Sequence, residues 1–97
     1  MTMVLAMLRA RPERADELDA ALREVAGRTP GEPGALAYSV ARQDGDRFLV
    51  VERYADDATR DAHFAAPYVA ALLDRFPLLL AEEPVVEFAE VVTAFTR

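Results

Sequence analysis

The chain has 97 residues, the length of one small domain. Its 11 Lys and Arg against 17 Asp and Glu leave a net charge of −6, which excludes the basic surface that nucleic acid or an anionic membrane demands. It contains no cysteine, so disulfides, thiolate nucleophiles and thiolate metal sites are excluded together. No apolar run approaches ~18 residues, and the opening Met1 to Leu8 lacks a basic flank. A single cytoplasmic domain over 1–97 is the expectation.

Residues 2–9 form the first expected strand, with Val4, Ala6 and Leu8 on one alternating set and Met3, Leu5 and Met7 on the other. Residues 12–28 follow as a helix. Pro12 suits its first turn, and Ala15, Leu18, Leu22 and Val25 make an apolar stripe at helical spacing. The prolines and glycines of 28–34 end it. Residues 35–43 and 46–54 read as two strands joined at Asp44-Gly45, a pair suited to a tight hairpin.

Asp56 or Asp57 caps a short helix over 57–66. Pro67 starts a second helical segment whose stripe is Val69, Leu72, Leu73 and Phe76, and Pro77 is expected to break or kink it. Residues 84–96 are the last expected strand. The order is β-α-β-β-α-β, an α+β, ferredoxin-like arrangement with a four-stranded antiparallel sheet. Helices cover one face of such a sheet, yet the first, third and last strands carry apolar residues on both. With 53% of the chain hydrophobic, a second copy is expected to cover the other face, giving a homodimer through the sheet.

Certain segments resemble a known family. They are Glu32-Pro-Gly-Ala-Leu-Ala-Tyr38, Phe48-Leu-Val-Val-Glu-Arg-Tyr54, Ala62-His63, Pro67-Tyr68 and Ala71-Leu72-Leu73. In this order and spacing they are similar to the antibiotic biosynthesis monooxygenase (ABM) domain. The resemblance implies a dimeric α+β barrel. For some members it also implies oxygenation of polycyclic phenols to quinones with no cofactor. Other members degrade haem, act on quinols or have no known activity. The haem-degrading branch carries an Asn on the first strand and a helical Trp, and this chain has neither residue type.

His63 is the only histidine, and imidazole titrates where general acid–base work is done. It matches the family's helical His, so it is expected to take a substrate proton. Tyr38 and Tyr68 are expected to hold the substrate oxygen, since a phenol can line an apolar pocket and still donate. A bracing helix histidine and core tyrosines are the plainer alternatives. Glu52 lies mid-strand among apolar neighbours and needs a partner. It is either a base, an anchor for His63 or a tyrosine, or half of a structural ion pair. Tyr54, Glu52, Phe64, Leu72 and Phe76 are the expected substrate-binding set, with no metal and no cofactor. The resulting expectation is a cofactor-independent monooxygenase acting on a polyphenol, quinol or polyketide-type aromatic with O₂. The alternatives are a non-catalytic small-ligand-binding or accessory dimer of a biosynthetic pathway, or a polyketide cyclase-like enzyme.

Overall fold

The expected elements appear in the expected order in the computed structural model, which describes residues 1–97. They are β1 (Thr2–Arg9), α1 (Ala15–Arg28), β2 (Ala35–Gln43), β3 (Arg47–Tyr54), α2 (Asp57–Ala65), α3 (Pro67–Leu79) and β4 (Val85–Glu90). A 3₁₀ turn, Pro12–Arg14, leads into α1, so the helix proper starts three residues later than the sequence suggests. The four strands make one antiparallel sheet in the order β2-β3-β1-β4, the ferredoxin-like α+β topology.

Alternation decides the two faces. Val4, Ala6 and Leu8 of β1 and Phe48 and Val50 of β3 are buried under the helices. The stripe Ala15, Leu18, Leu22 and Val25 of α1 and Val69 and Leu72 of α3 meet them in one core. At about 25 cal/mol per Å² of apolar surface, each fully buried side chain of this kind contributes roughly 1.5–3 kcal/mol.

The opposite face carries Met3, Leu5 and Met7 of β1 beside Val51 and Leu49 of β3, all only half-buried. Glu87 of β4 and Arg53 of β3 are among the few charges on it, set opposite Leu5 and Met3.

The hairpin turns where expected. Asp44 (φ +52°) and Gly45 (φ +83°) both take left-handed backbone, and Arg42 donates to the Gly45 carbonyl at 2.7 Å.

Two expectations fail. Pro77 does not break α3, which runs on to Leu79 with the Leu80 N–H still donating to the Phe76 carbonyl; the proline removes only the one N–H that would reach Leu73. The last strand stops at Glu90 rather than 96, because β1 offers partners only as far as its own start at Thr2. Beyond it the chain is irregular, tied by Val91 N–H to the Met1 carbonyl and by Arg53 to the Thr96 hydroxyl. Val92 and Phe95 there are 96% and 80% exposed.

Candidate functional site

The site is organised by the turn between α1 and β2. Gly34 adopts φ +86°, a region that favours glycine. A Cβ at this position would fall 2.5 Å from Cγ2 of Thr59, so only glycine lets the first turn of α2 approach this closely. Asp56 caps that turn: its Oδ1 accepts the Thr59 N–H at 2.8 Å, while the Thr59 hydroxyl accepts the Asp56 N–H at 3.2 Å. The Ala55 N–H donates to the Gly34 carbonyl at 2.8 Å, closing the corner. One turn beyond Thr59, on the same inward face, comes His63. Ala62, next to it in sequence, is exposed.

His63 is 1% exposed and lies between two carboxylates. Its Nδ1 sits 3.0 Å from each oxygen of Glu32, and its Nε2 sits 3.5 Å from Oε1 of Glu52. The Tyr54 hydroxyl donates to the same Glu52 oxygen at 2.5 Å. The Tyr68 hydroxyl donates to Glu32 and lies 3.4 Å from the Thr29 hydroxyl, which itself donates to the Val25 carbonyl at 2.7 Å. The rings of Tyr38, Tyr54, Phe64 and Tyr68 surround the imidazole, with centroids 5.2 to 6.3 Å away.

Burial pushes the Glu52 carboxyl above the usual carboxylate range, and the nearby Glu32 charge adds to this. The Tyr54 hydrogen bond and the His63 charge oppose it. Burial also raises the Tyr54 phenol, helped by its bond to Glu52, and raises Tyr38, helped by the Glu52 and Glu32 charges. Both tyrosines therefore keep their protons at neutral pH, and Tyr54 donates its own to Glu52.

A cavity of about 50 Å³ lies between sheet and helices, beside this cluster. Leu8, Leu22, Val50, Val69, Leu72 and Phe76 supply much of its wall, and Glu52 and His63 are its only polar members apart from the Tyr38 hydroxyl. Its outer side is formed by Phe64, Leu73, Phe76 and Val86; Phe88 of β4 packs against Phe64 and Arg60 of α2 yet stays 52% exposed.

Of the residues expected at a site, Tyr38, Glu52, His63, Phe64, Leu72 and Phe76 meet at this cavity. Tyr54 sits behind Glu52, fully buried, and does not line the space. Tyr68 faces a separate groove between α1 and α3, with the Arg28 guanidinium 4.8 Å from its ring centroid. It meets the cluster with its hydroxyl on Glu32 and its ring edge-on to His63, outside the cavity.

Glu32 was read as part of a turn. The signal available was a lone histidine that needed a partner and an acidic residue fixed in a rigid Pro-Gly corner. Glu32 and Glu52 approach opposite ring nitrogens, so no three donors converge on one point as a metal would require. No helix is long and apolar enough to cross a membrane.

No curated protein sequence matches the chain. Solved structures do. A protein of unknown function from Nitrosomonas europaea, NE2512, is 26% identical, with a TM-score of 0.88 over 99% of this chain and 93% of that one. Rv0793 from Mycobacterium tuberculosis superimposes with a TM-score of 0.91 at 23% identity, over 98% of each chain, a likeness of fold. An antibiotic biosynthesis monooxygenase structure is 26% identical, with a TM-score of 0.86 over 96% of this chain and all of that one. The model of the antibiotic biosynthesis monooxygenase family matches residues 1–75. With three-quarters of its length matched by that model and its whole sheet and helices shared with these structures, the chain belongs to the antibiotic biosynthesis monooxygenase family.

Proposed function

We propose that the protein is a cofactor-independent monooxygenase that oxidises a phenolic or quinol-type aromatic with O₂. The observation that carries this reading is the single ionisable pair, Glu52 and His63, set into an otherwise apolar wall. Phenol oxygenation of this kind needs little more from a protein. The substrate hydroxyl loses its proton, and the electron-rich anion gives one electron to O₂. The resulting superoxide and substrate radical combine into a C–O bond. Loss of water from that peroxide turns a ring CH₂ into C=O, so one oxygen atom ends in product and the other in water. A dry cavity strengthens the proton-accepting interaction and protects the anion.

The enclosed space is far below the ~300–1,000 Å³ of ordinary small-molecule sites. An aromatic ring therefore enters by displacing Phe64 and Phe76 at the β4 side, beside the part-exposed Leu73 and Val86. The small cavity also favours a second reading, a binding module for a small apolar ligand, and a cyclase-like enzyme would use the same proton chemistry without oxygen. Oxygen uptake with an anthrone or a quinol separates these readings. Consumption of O₂ with one labelled oxygen atom in the product is expected. Tight binding without uptake supports the binding module, and a ring-closed product of unchanged oxygen content supports the cyclase. We propose further that the protein works as a homodimer through the open sheet face, because Met3, Leu5, Met7, Leu49 and Val51 form a continuous apolar layer there.

A further inference from the structure

His63 is well placed to be held and poorly placed to touch a ligand. Both ring nitrogens are directed at carboxylates, Nδ1 at Glu32 and Nε2 at Glu52, so the imidazole meets the cavity with its carbon edge. A carboxylate only accepts, and Nδ1 is equidistant from both Glu32 oxygens; Nδ1 therefore carries a proton. Glu52 is the opposite case. It is 4% exposed, its Oε1 is engaged by Tyr54 and faces Nε2, and its Oε2 makes no hydrogen bond.

From these contacts we propose that Glu52 is the catalytic residue that exchanges a proton with the cavity ligand, and that His63 and Glu32 are relay residues carrying that proton to solvent. This rests on the reading of the cavity as a place of proton abstraction, but half of its test requires no turnover.

The path has three short links. Glu52 Oε2 is the one carboxylate oxygen free to accept from a ligand hydroxyl. Glu52 Oε1 and His63 Nε2 lie 3.5 Å apart, longer than the hydrogen bonds around them; such contacts tighten when a ligand fills the site. His63 Nδ1 and Glu32 lie 3.0 Å apart, and the Glu32 side chain is 20% exposed against 5% for Glu52, so Glu32 is the more open end. When the ligand O–H bond breaks, its proton goes to Oε2. The proton on Oε1 moves to Nε2, the Nδ1 proton passes to Glu32, and Glu32 releases it. The ligand is left as an anion; the Glu52–His63 pair keeps the number of protons it began with, and its resting arrangement returns when Oε2 gives its proton to product, Nε2 returns one to Oε1 and Nδ1 takes one back through Glu32.

Tyr54 from β3 and Tyr38 from β2 face Glu52, and Tyr68 from α3 and the Thr29 hydroxyl after α1 face the Glu32 end. No arginine pairs with either carboxylate; Arg28 meets the Tyr68 ring and Glu24.

The protein has a single histidine, so its ring-nitrogen NMR signals are unambiguous. In the resting protein, the Glu52 carboxyl is followed by infrared difference against Glu52→Gln while the His63 nitrogens are followed across the same pH range. The expected result is one coupled event, with Nε2 shifting as Glu52 titrates and Nδ1 staying protonated. Silent imidazole signals during the Glu52 titration, or a bare Nδ1, would overturn the relay.

In turnover with an anthrone, Glu52→Gln is expected to lower kcat by ~10²–10⁴-fold at unchanged KM. Glu32→Gln lowers kcat, and Glu32→Asp recovers much of it. Wild-type rates in Glu52→Gln, with its fold intact by circular dichroism, remove the relay and leave the oxygenase standing. A wild-type protein inert towards anthrones and quinols but showing the coupled titration removes the oxygenase and leaves the relay.

Discussion

The two faces of the sheet are built from the same strands and much the same residue types, yet they behave as different materials. On the helix side, Val4, Ala6, Leu8, Phe48 and Val50 are sealed, and the one carboxylate among them, Glu52, answers to His63 and Tyr54. On the other side, Met3, Leu5, Met7, Leu49 and Val51 are as apolar but half-open, and Arg53 reaches only as far as the Thr96 hydroxyl. Hydrophobicity alone does not make a core; a second layer does. The sealed face can hold a buried acid because its neighbours are fixed. The open face can only be covered by something that arrives.

The largest test of this contrast is Phe48→Ala. Phe48 is fully buried, and the change is expected to cost about 3–5 kcal/mol in urea unfolding, since the sealed face cannot collapse into the space left. A cost below about 1 kcal/mol, the scale of an ordinary surface change, would erase the distinction.

Next comes Gly34→Ala, which places a methyl against Thr59 and forces a left-handed residue to carry a Cβ. About 1–3 kcal/mol is expected, together with displaced His63 ring signals, because α2 must move away from the turn. An unmoved His63 spectrum would show that this corner does not position the imidazole.

The third test is pH. Burial holds the folded Glu52 carboxyl above its ordinary value of 4.5, so the folded chain binds that proton more tightly than the unfolded one. The stability tied to this group is present below 4.5 and is lost as pH rises through the folded value. Glu52→Gln should therefore gain on wild type in urea midpoint as pH rises above 4.5. A difference that stays constant with pH would mean that Glu52 is ionised as readily inside as outside.

The smallest stability effect belongs to the open face. Val51→Glu is expected to change the folding of a single chain by about 0.5 kcal/mol or less, while halving a light-scattering mass that starts near twice 10.7 kDa. A wild-type mass of one chain would remove the dimer.

Much of the fold was readable from local pattern. The stripe Ala15, Leu18, Leu22 and Val25 is buried as its spacing demands, and Asp44-Gly45 turns the hairpin. The sequence leaves the role of His63, buried in the last turn of α2 and one turn beyond Thr59, open between a proton acceptor and a bracing helix histidine. The end of β4 was not readable, because Val91 to Ala94 continues the apolar pattern while no partner strand extends that far.

The site divided along the same line. Glu52 was conspicuous as a charge inside an apolar strand, whereas Glu32 looked like an ordinary turn residue. Tyr68 looked like a pocket residue from its nearness to His63 in sequence, yet α3 turns it to the far side of Glu32.

What the sequence by itself determined is therefore the set of interactions that neighbours along the chain decide: periodicity, caps, turns and the presence of one histidine. The tertiary structure alone decided that Glu32 and His63, 31 residues apart, share a hydrogen bond, and that the cavity beside them encloses only about 50 Å³. The physical reason is that a buried charge is stabilised by whatever the folded chain brings within about 3 Å of it, and no spacing rule along a strand or helix specifies that partner.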